Sequence, residues 1–413
     1  MDVVKPLARY RWVALGLALL SQWSNALSYQ VVAPLAPLFQ PELGLTKAEV
    51  GMFSSAVFVG SWVVLLVAGS LTDRFGVRRM LSLGQVVGGS LMLVMGAVGS
   101  FLQALLVLFS VGVARGSVLP ASTKAIMDWF PPSARGMAMG LKQTGVPVAG
   151  IVAAAVLPAL GLAMGWRTAM AVVGLWIIAG GIVTLALYRE APQPEPSEGQ
   201  KASMRAGVSQ LIRNPGVWTL SGMIVLFVAA QNSLITYLPL YFKEVVLVSS
   251  MPDESVRIVA AGGYLAIFQA GGVVGRVFWG VVSDRVFGGR RLVVLAIVSS
   301  ITALGSVVMS RLGVGSPLWL LTGFVFVYGL NAIGWNGVYH ALMVETAGRK
   351  YAATGVGLIM TLSQVGLVAG PPLFGFIVDT SGSFQTGWLF LSFVSAGAAT
   401  TAALSTKGEK HVA

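Results

Sequence analysis

Twelve long apolar segments constrain the fold of this chain more than any other feature of its sequence. Each reaches about 20 mainly apolar residues, the length that a helix needs to cross the ~30 Å hydrocarbon core of a bilayer. Lipid offers no hydrogen-bond partner to an open backbone, and ten-residue strand alternation is missing, so we predict an all-α polytopic membrane protein. The segments lie near residues 12–38, 49–71, 80–99, 102–128, 137–162, 167–188, 215–243, 256–282, 291–311, 316–344, 352–378 and 384–405.

The composition argues against a soluble protein and against most enzymes. Of the 413 residues, 56% are hydrophobic and 10% are charged, whereas soluble domains contain about 25% charged residues. The net charge of +12 does not indicate a nucleic-acid partner, because the basic residues lie mostly in short loops rather than on one soluble face. Cysteine is absent, and no HExxH, CxxC or Walker loop occurs. We therefore expect no catalytic residue, metal or cofactor, and a membrane enzyme or receptor is disfavoured.

A stretch rich in Pro, Glu and Ser, "REAPQPEPSEGQKASMRAG" from residue 189, separates the sixth and seventh segments. It predicts an N-terminal six-helix bundle (1–188), a cytosolic linker (189–214) and a C-terminal six-helix bundle (215–413). With the N-terminus inside, eighteen of the 27 Lys and Arg residues would face the cytosol and five the outside. The excess predicts that both termini are cytosolic in a multi-pass protein of the cell inner membrane.

The two predicted bundles repeat each other in sequence. "GSLTDRFGVRR" (69–79) follows the second segment, and "GVVSDRVFGGRR" (280–291) follows the eighth, 211 positions later. A second echo pairs "LKQTGVPVAG", from residue 141, with "LSQVGLVAGPP", from residue 362. Internal duplication of this kind is the plan of many secondary transporters, whose binding site lies near the bilayer midplane between the halves.

These loop motifs resemble the pattern G-x-L-x-D-R-x-G-x-R-R of the major facilitator superfamily. The resemblance covers essentially the whole chain and implies a secondary transporter of two pseudo-symmetric bundles that works by alternating access. The motifs place Asp73 beside Arg74 and Asp284 beside Arg285, at helix ends where a carboxylate can cap or pair. We predict that these four residues form cytosolic clasps that gate transport. The alternative is a simple positive-inside anchor.

Four basic residues lie inside predicted segments: Arg115, Lys124, Lys142 and Arg276. At about 1.5 Å per residue, Lys142 lies roughly 10 Å into the membrane and Arg276 about 12 Å. All fifteen Asp and Glu residues fall in loops or near helix ends, so no carboxylate is available at that depth. Because buried charge must be paired, hydrated or matched by a ligand, an anionic substrate is the economical partner.

The eighth segment, "GRVFWGVVSDR" from Gly275, is similar to that of monocarboxylate and oxalate/formate transporters. In that resemblance, an arginine in the place of Arg276 binds the substrate carboxylate. The lysine of the oxalate/formate pattern is missing from "IMTLSQVGLVAG" (359–370), which argues against oxalate itself. Alternatives stay open: Arg276 could serve helix packing, Lys142 could snorkel, Lys124 could snorkel or gate, and Arg115 could line the cavity.

Polar and aromatic side chains inside the segments complete the predicted site. In the tenth segment, helical spacing places Tyr328, Asn331, Trp335 and Tyr339 on one face, with Asn336 beside them. Gln143 and Gln364 occupy equivalent repeat positions. These groups would orient a substrate, or would only hold helices together. His340 and Glu345 are candidate proton-coupling residues; a packing role for His340 is the alternative.

We therefore predict a secondary active transporter of a small organic anion, in the first place a monocarboxylate, driven by proton symport or by anion exchange. An inorganic-anion (nitrate or cyanate) porter and a multidrug exporter are the alternatives. The exporter is weakened because cationic drugs usually need an acidic residue in the membrane. The expected partners are the anionic substrate, protons and the lipid bilayer, and the expected oligomeric state is a monomer.

Overall fold

The computed structural model describes residues 4–191, 210–313 and 316–406, which form helices joined by short turns and contain no strand. Most of the predicted linker, residues 192–209, lies outside the described residues. The helices before it are α1 (Val4–Gln30), α2 (Val32–Glu42), α3 (Lys47–Phe75), α4 (Val77–Val94), α5 (Phe101–Arg115), α6 (Val118–Trp129), α7 (Pro132–Gln143), α8 (Gly145–Met164) and α9 (Trp166–Leu187). After it come α10 (Pro215–Tyr241), α11 (Glu254–Arg285), α12 (Arg291–Arg311), α13 (Leu318–Ala332), α14 (Trp335–Ser381) and α15 (Phe384–Ser405). A 3₁₀ turn (Met95–Ala97) follows α4, and a π-helical turn (Phe242–Val246) follows α10.

The all-α membrane fold predicted from the sequence is confirmed. Within the described residues, eleven helical segments are long and apolar enough to cross a membrane, and α1 with α2 supplies the remaining predicted segment. α1 has the length, at 27 residues, but polar side chains interrupt the apolar run in its second half. These side chains are buried in the structure: Ser21, Gln22, Ser24, Asn25, Ser28 and Gln30.

Three predicted segments are interrupted close to candidate site residues. The fourth segment divides into α5 and α6 at Gly116–Ser117, directly after Arg115. The fifth divides into α7 and α8 at Thr144, and the tenth divides into α13 and α14 at Ile333–Gly334. Interrupted helices are common where transporters bind their substrates, because the bend frees backbone groups and gives side chains a different direction. The tenth and eleventh segments are in turn joined, since α14 continues through the predicted loop, which contains no proline to end it.

The chain divides into two compact units, Met1–Leu45 with Ala56–Pro196 and Thr46–Ser55 with Ser197–Ala413. In the first unit, α4 packs along α9, and α1 packs against α6, α8 and α9. In the second unit, α12 packs along α15, α10 along α14, and α11 along α13. The start of α3 belongs to the second unit by its contacts.

Glycines bring two helices of each unit into backbone contact. In the second unit, a Cβ added at Gly275 of α11 would lie 2.0 Å from the carbonyl oxygen of Leu330 on α13. In the first unit, a Cβ added at Gly60 of α3 would lie 2.1 Å from the carbonyl oxygen of Phe109 on α5. Small residues at such contacts are a general device of membrane helix packing. They fix the position of α5, which carries Arg115, and of α11, which carries Arg276.

Replacing Gly275 with alanine is expected to destabilise the protein in detergent. The added methyl group cannot fit against the Leu330 carbonyl, so the two helices must separate, at a cost of about 1–3 kcal/mol. Gly263, on the same helix, gives the matched control, because a Cβ added there would meet nothing within 4 Å. We expect thermal unfolding of the Gly275→Ala variant several degrees below that of Gly263→Ala; equal unfolding temperatures would contradict the close contact.

Candidate functional site

Arg115, at the end of α5, is held by side chains from α1 and α3 of the same unit. Its Nε donates to Oδ1 of Asn25 at 2.9 Å, and its Nη1 donates to Oγ of Ser61 at 3.0 Å. The guanidinium carbon lies 4.6 Å from the ring centroid of Tyr29 and 5.7 Å from that of Phe58. Asn25 and Tyr29 are four residues apart on α1, and Phe58 and Ser61 three apart on α3, so each helix presents one face to the arginine.

All of the groups that contact Arg115 in this way are uncharged. The ion pairs found among the described residues do not include Arg115. A guanidinium has five N–H donors, and the two hydrogen bonds use two of them. The positive charge is therefore oriented by amide, hydroxyl and aromatic groups but is not neutralised, and the free donor edge suits a carboxylate.

Lys142 is buried within the first unit and does not snorkel. Its side chain is 1% exposed, and its Nζ donates to Oγ1 of Thr123 at 3.1 Å and to Oγ of Ser122 at 3.3 Å. Both hydroxyls belong to α6. In this conformation a ligand has no access to the amine, so Lys142 is kept apart from the residues that we propose to touch substrate.

Arg276 lies half-buried on α11 of the second unit, where α11 meets the start of α14. A Cβ added at Gly337 would lie 2.8 Å from the backbone carbonyl oxygen of Arg276, and the charge of Arg276 acts on His340, one turn further along α14. His340 is exposed. The structure thus brings Arg276 and His340 together in the second unit, as neighbours of the interruption at Ile333–Gly334.

The predicted amide groups differ in their surroundings. Asn336 donates to Oε1 of Gln231 at 3.1 Å and to the carbonyl oxygen of Ile333 at 2.8 Å. Gln143, in the first unit, is exposed, and Gln364, in the second, is half-buried. The side chains of Asn336 and Gln364 are therefore only partly exposed, whereas the amide of Gln143 is exposed.

The aromatic stripe of the tenth segment packs against other helices, and Trp335 also borders a small cavity of about 10 Å³. Tyr328, Trp335 and Tyr339 are 2% exposed or less. The Tyr328 hydroxyl shares a hydrogen bond with Ser306 at 2.6 Å, the Trp335 indole donates to the carbonyl of Ala332, and the Tyr339 hydroxyl donates to that of Leu220. Asn331 is also buried and donates to Val327 of its own helix. These are contacts of helix packing, and we leave the four residues out of the proposed binding set.

In the first unit, the loop motif forms an ion pair with a partner other than the expected one. Asp73 pairs with Lys124 of α6 at 2.8 Å. Arg74, next to Asp73 in sequence, instead lies over the ring of Phe75, 5.4 Å from its centroid. Lys124, in the middle of α6, thus takes the place predicted for Arg74 by pairing with Asp73 in the last turn of α3.

In the second unit, one arginine joins two of the predicted residues. Arg291, the first residue of α12, donates to Glu345 through Nε at 2.7 Å and to Asp284 through Nη1 at 3.1 Å. Arg285 is exposed and is not part of an ion pair among the described residues. Glu345, a predicted proton-coupling residue, is therefore a member of this clasp. The gating role of both clasps stays a prediction.

A further polar network of the second unit was not predicted. The Asp379 carboxylate accepts the backbone N–H groups of Lys47 and Ala48 at 3.0 and 2.8 Å, which caps the first turn of α3. Lys47 also pairs with Glu244 at 3.0 Å. A cavity of about 520 Å³ adjoins the network. None of the predicted site residues lines this cavity, and its lysine is already paired, so we do not regard it as the substrate site.

The surroundings of Arg115 are the part of the site that sequence reasoning missed. Asn25, Tyr29, Phe58 and Ser61 were not predicted to contribute. A signal was present, because "SQWSNALSYQ" (21–30) holds more polar residues than a lipid-facing helix tolerates. The partner of Asp284, Arg291, also had a signal: it ends the same loop motif.

Comparison with known proteins places these features in a family. A family model described as "Major Facilitator Superfamily" matches residues 18–371. The "Probable sulfoacetate transporter" of Cupriavidus necator is 24% identical over 416 residues, covering 96% of this chain and 92% of that protein. The "Hexuronate transporter" of Bacillus subtilis is 23% identical over 380 residues, covering 88% of this chain and 87% of that protein.

A solved structure shares the fold. The structure of a bacterial homolog to the human lysosomal transporter Spinster, in an inward-facing and unoccupied conformation, matches with a TM-score of 0.78. The match covers 96% of this chain and 97% of that chain at 16% sequence identity. At that identity the likeness concerns the fold alone.

Proposed function

The chain belongs to the Major Facilitator Superfamily, and on that premise we propose that it is a secondary active transporter of a small organic acid anion. Its relatives include proteins named for sulfoacetate and for hexuronate, and both names denote organic anions. The proposed location is the cytoplasmic membrane, with both termini in the cytosol. The proposed mode is alternating access, with the substrate carboxylate as the group that the protein recognises.

The observation that carries this proposal is the environment of Arg115. An arginine within a membrane segment is expensive unless its charge is matched, and its contacts here are the amide of Asn25, the hydroxyl of Ser61 and two aromatic rings. These groups orient the guanidinium without neutralising it. A ligand that supplies a carboxylate would complete the ion pair with two parallel hydrogen bonds.

Arg276 is the proposed anion-binding group of the second unit. It keeps the role that the resemblance of "GRVFWGVVSDR" implies, and it lies beside an interruption between two helices, as Arg115 does. The Asn336–Gln231 pair lies on the helices next to it and offers amide groups for the rest of the substrate. Gln364 stays a candidate for this task in the second unit, and Gln143 stays a candidate substrate-binding residue in the first unit.

In the proposed mechanism, the substrate anion neutralises the arginine charge, and this neutralisation favours enclosure of the substrate. A guanidinium without a counter-ion resists enclosure in a low-dielectric interior, whereas an ion pair with complete hydrogen bonds costs much less to enclose. Binding of the anion would therefore favour the enclosed state over the open one. A ligand shifts such an equilibrium only by its difference in affinity for the two states, so a neutral analogue of the substrate should bind weakly and should not be moved.

The test is a thermal-shift screen followed by uptake into proteoliposomes. Purified protein is heated with monocarboxylates, dicarboxylates, a sulfonated acid, nitrate and a lipophilic cation, because a ligand that binds only the folded state stabilises it. We expect one class of organic acid to stabilise the protein, to enter the vesicles, and to do neither with the Arg276→Ala variant. Stabilisation by nitrate alone would favour an inorganic-anion porter, and stabilisation by the cation would contradict an anion site.

A further inference from the structure

Among the described residues, the surroundings of Lys142 provide hydrogen-bond acceptors for two N–H groups but not for a third. The hydroxyl of Thr123 donates to the carbonyl oxygen of Leu119 at 2.9 Å, and that of Ser122 donates to the same carbonyl at 3.0 Å. Each hydroxyl can therefore only accept from Lys142. The two acceptors match the two N–H groups of a neutral amine, whereas an ammonium has three and its third would find no acceptor among the described residues.

The charged groups around Lys142 do not compensate an ammonium. α7 packs against α1, α6 and α8; α8 contains no charged residue, and the charged residues of α1 end at Arg11. On α6, Lys124 is paired with Asp73, and Asp128 is exposed. The other charged residue of α7, Arg135, donates to backbone carbonyls. An unpaired ammonium at this place is costly to bury, and a hydrogen-bonded amine is not.

We propose that Lys142 is the proton-carrying residue of the transport cycle. In the proposed cycle, the amine holds no extra proton while it is enclosed as seen here, and it accepts one when α7 moves and exposes it to water. The proton binds to the lone pair of Nζ and later leaves from the same atom, so no other reactant takes part. This inference rests on the proposed transport function and names its coupling group, in place of His340 and Glu345.

The local structure provides both a hinge and a path for the proton. α7 ends at Gln143 and α8 begins at Gly145, so the interruption at Thr144 lies two residues beyond Lys142. Ser122 is fully buried, but Thr123 is only half-buried. Water that reaches the Thr123 hydroxyl is thus separated from Nζ by one hydrogen bond of 3.1 Å. A rotation of α7 about Thr144 would remove that separation.

Two variants distinguish a proton carrier from a substrate anchor and from a packing residue. Lys142→Met keeps an unbranched side chain only one atom shorter and without a titrating group, and Lys142→Arg keeps a charge that cannot be released. The wild type is expected to accumulate the organic acid up to about tenfold per unit of pH gradient, the limit for one proton per substrate. The Met variant should still move substrate downhill and exchange it, but without accumulation. The Arg variant should exchange substrate yet fail in net uptake, because the empty carrier cannot return with the charge buried.

Other outcomes overturn the proposal. Accumulation by the Met variant in response to the pH gradient would make Lys142 a packing residue. Loss of exchange in the Met variant with full accumulation in the Arg variant would make it a substrate anchor. A wild type that exchanges the acid but ignores the pH gradient would remove proton coupling altogether. If the wild type exchanged no organic acid, the transport function itself would fail.

A second measurement tests the protonation state of Lys142 without measuring transport. If the unfolded chain holds the proton and the folded chain does not, folding releases a proton, and stability rises with pH. The unfolding temperature of the wild type should then rise relative to that of Lys142→Met between about pH 6 and pH 9. The corresponding increase in the folding equilibrium constant is up to tenfold per pH unit. A difference that does not change with pH would show that the folded protein keeps the proton and would overturn the proposal.

Discussion

Arg115→Ala is expected to lower uptake of the transported organic acid by at least about 30-fold at low substrate concentration, which corresponds to about 2 kcal/mol. The guanidinium would be lost from its setting between Asn25, Ser61 and the two aromatic rings, and with it the partner of the carboxylate. Arg115→Lys should lie between the variant and the wild type, because an ammonium keeps the charge but cannot form two parallel hydrogen bonds. Initial rates over a range of substrate concentrations measure the effect, which should appear mainly in KM.

Asn25→Asp tests the charge of Arg115 while the arginine stays in place. The new carboxylate would occupy the position of the amide oxygen, 2.9 Å from Nε, and would neutralise the guanidinium before any substrate arrived. We expect a loss comparable with that of Arg115→Ala. Arg167→Ala is the matched control, because Arg167 already pairs with Glu42 and should be dispensable for binding. Normal transport by Asn25→Asp would mean that the substrate does not need this charge and that Arg115 serves helix packing.

The fold could be predicted from the sequence because hydropathy and span length decide most of it. α12 (Arg291–Arg311) and α15 (Phe384–Ser405) begin and end where the apolar segments were predicted. The interruptions were not predicted. Two of them keep nearly helical torsion angles, with φ and ψ of −65° and −21° at Thr144 and −58° and −25° at Gly116, whereas φ is −112° at Ile333. Proline did give a signal for these two: Pro120 and Pro147 lack the N–H that would bond to the carbonyl four residues earlier, at Gly116 and Gln143.

The candidate site was predictable in its charges but not in their partners. The depth of Arg115, Lys142 and Arg276 follows from counting residues along a helix. The groups that hold them come from other helices: Asn25 is 90 residues from Arg115, and Ser122 is 20 residues from Lys142. Spacing within one helix cannot reveal such neighbours. The aromatic stripe shows the same limit. Tyr328 lies on α13, whereas Trp335 and Tyr339 lie on α14, and spacing within one predicted segment could not assign these side chains to a cavity or to a neighbouring helix.

Arg291→Ala is expected to slow the maximal rate of uptake roughly five- to thirtyfold while changing KM little. Arg291 is the shared partner of Asp284 and Glu345, so its removal would leave two neighbouring carboxylates without their counter-ion. The side chain of Arg291 is 16% exposed, but those of Asp284 and Glu345 are 62% and 52% exposed. Solvent screening therefore limits the loss to about 1–2 kcal/mol. A change of that size in the stability of one conformation shifts the balance between conformations by the stated factor.

The control and the rescue decide whether Arg291 acts as a clasp. Arg285→Ala removes an exposed arginine next to Asp284 without breaking an ion pair that the described residues form, and it should transport like the wild type. Asp284→Asn removes one of the two pairs and should have a smaller effect than Arg291→Ala. Adding Glu345→Gln to Arg291→Ala removes the repulsion between the carboxylates, so the double variant should recover part of the rate. If Arg285→Ala reduced the uptake rate more than Arg291→Ala did, Arg285 would be the clasp residue, as the sequence motif predicts, and Arg291 would be a positive-inside anchor.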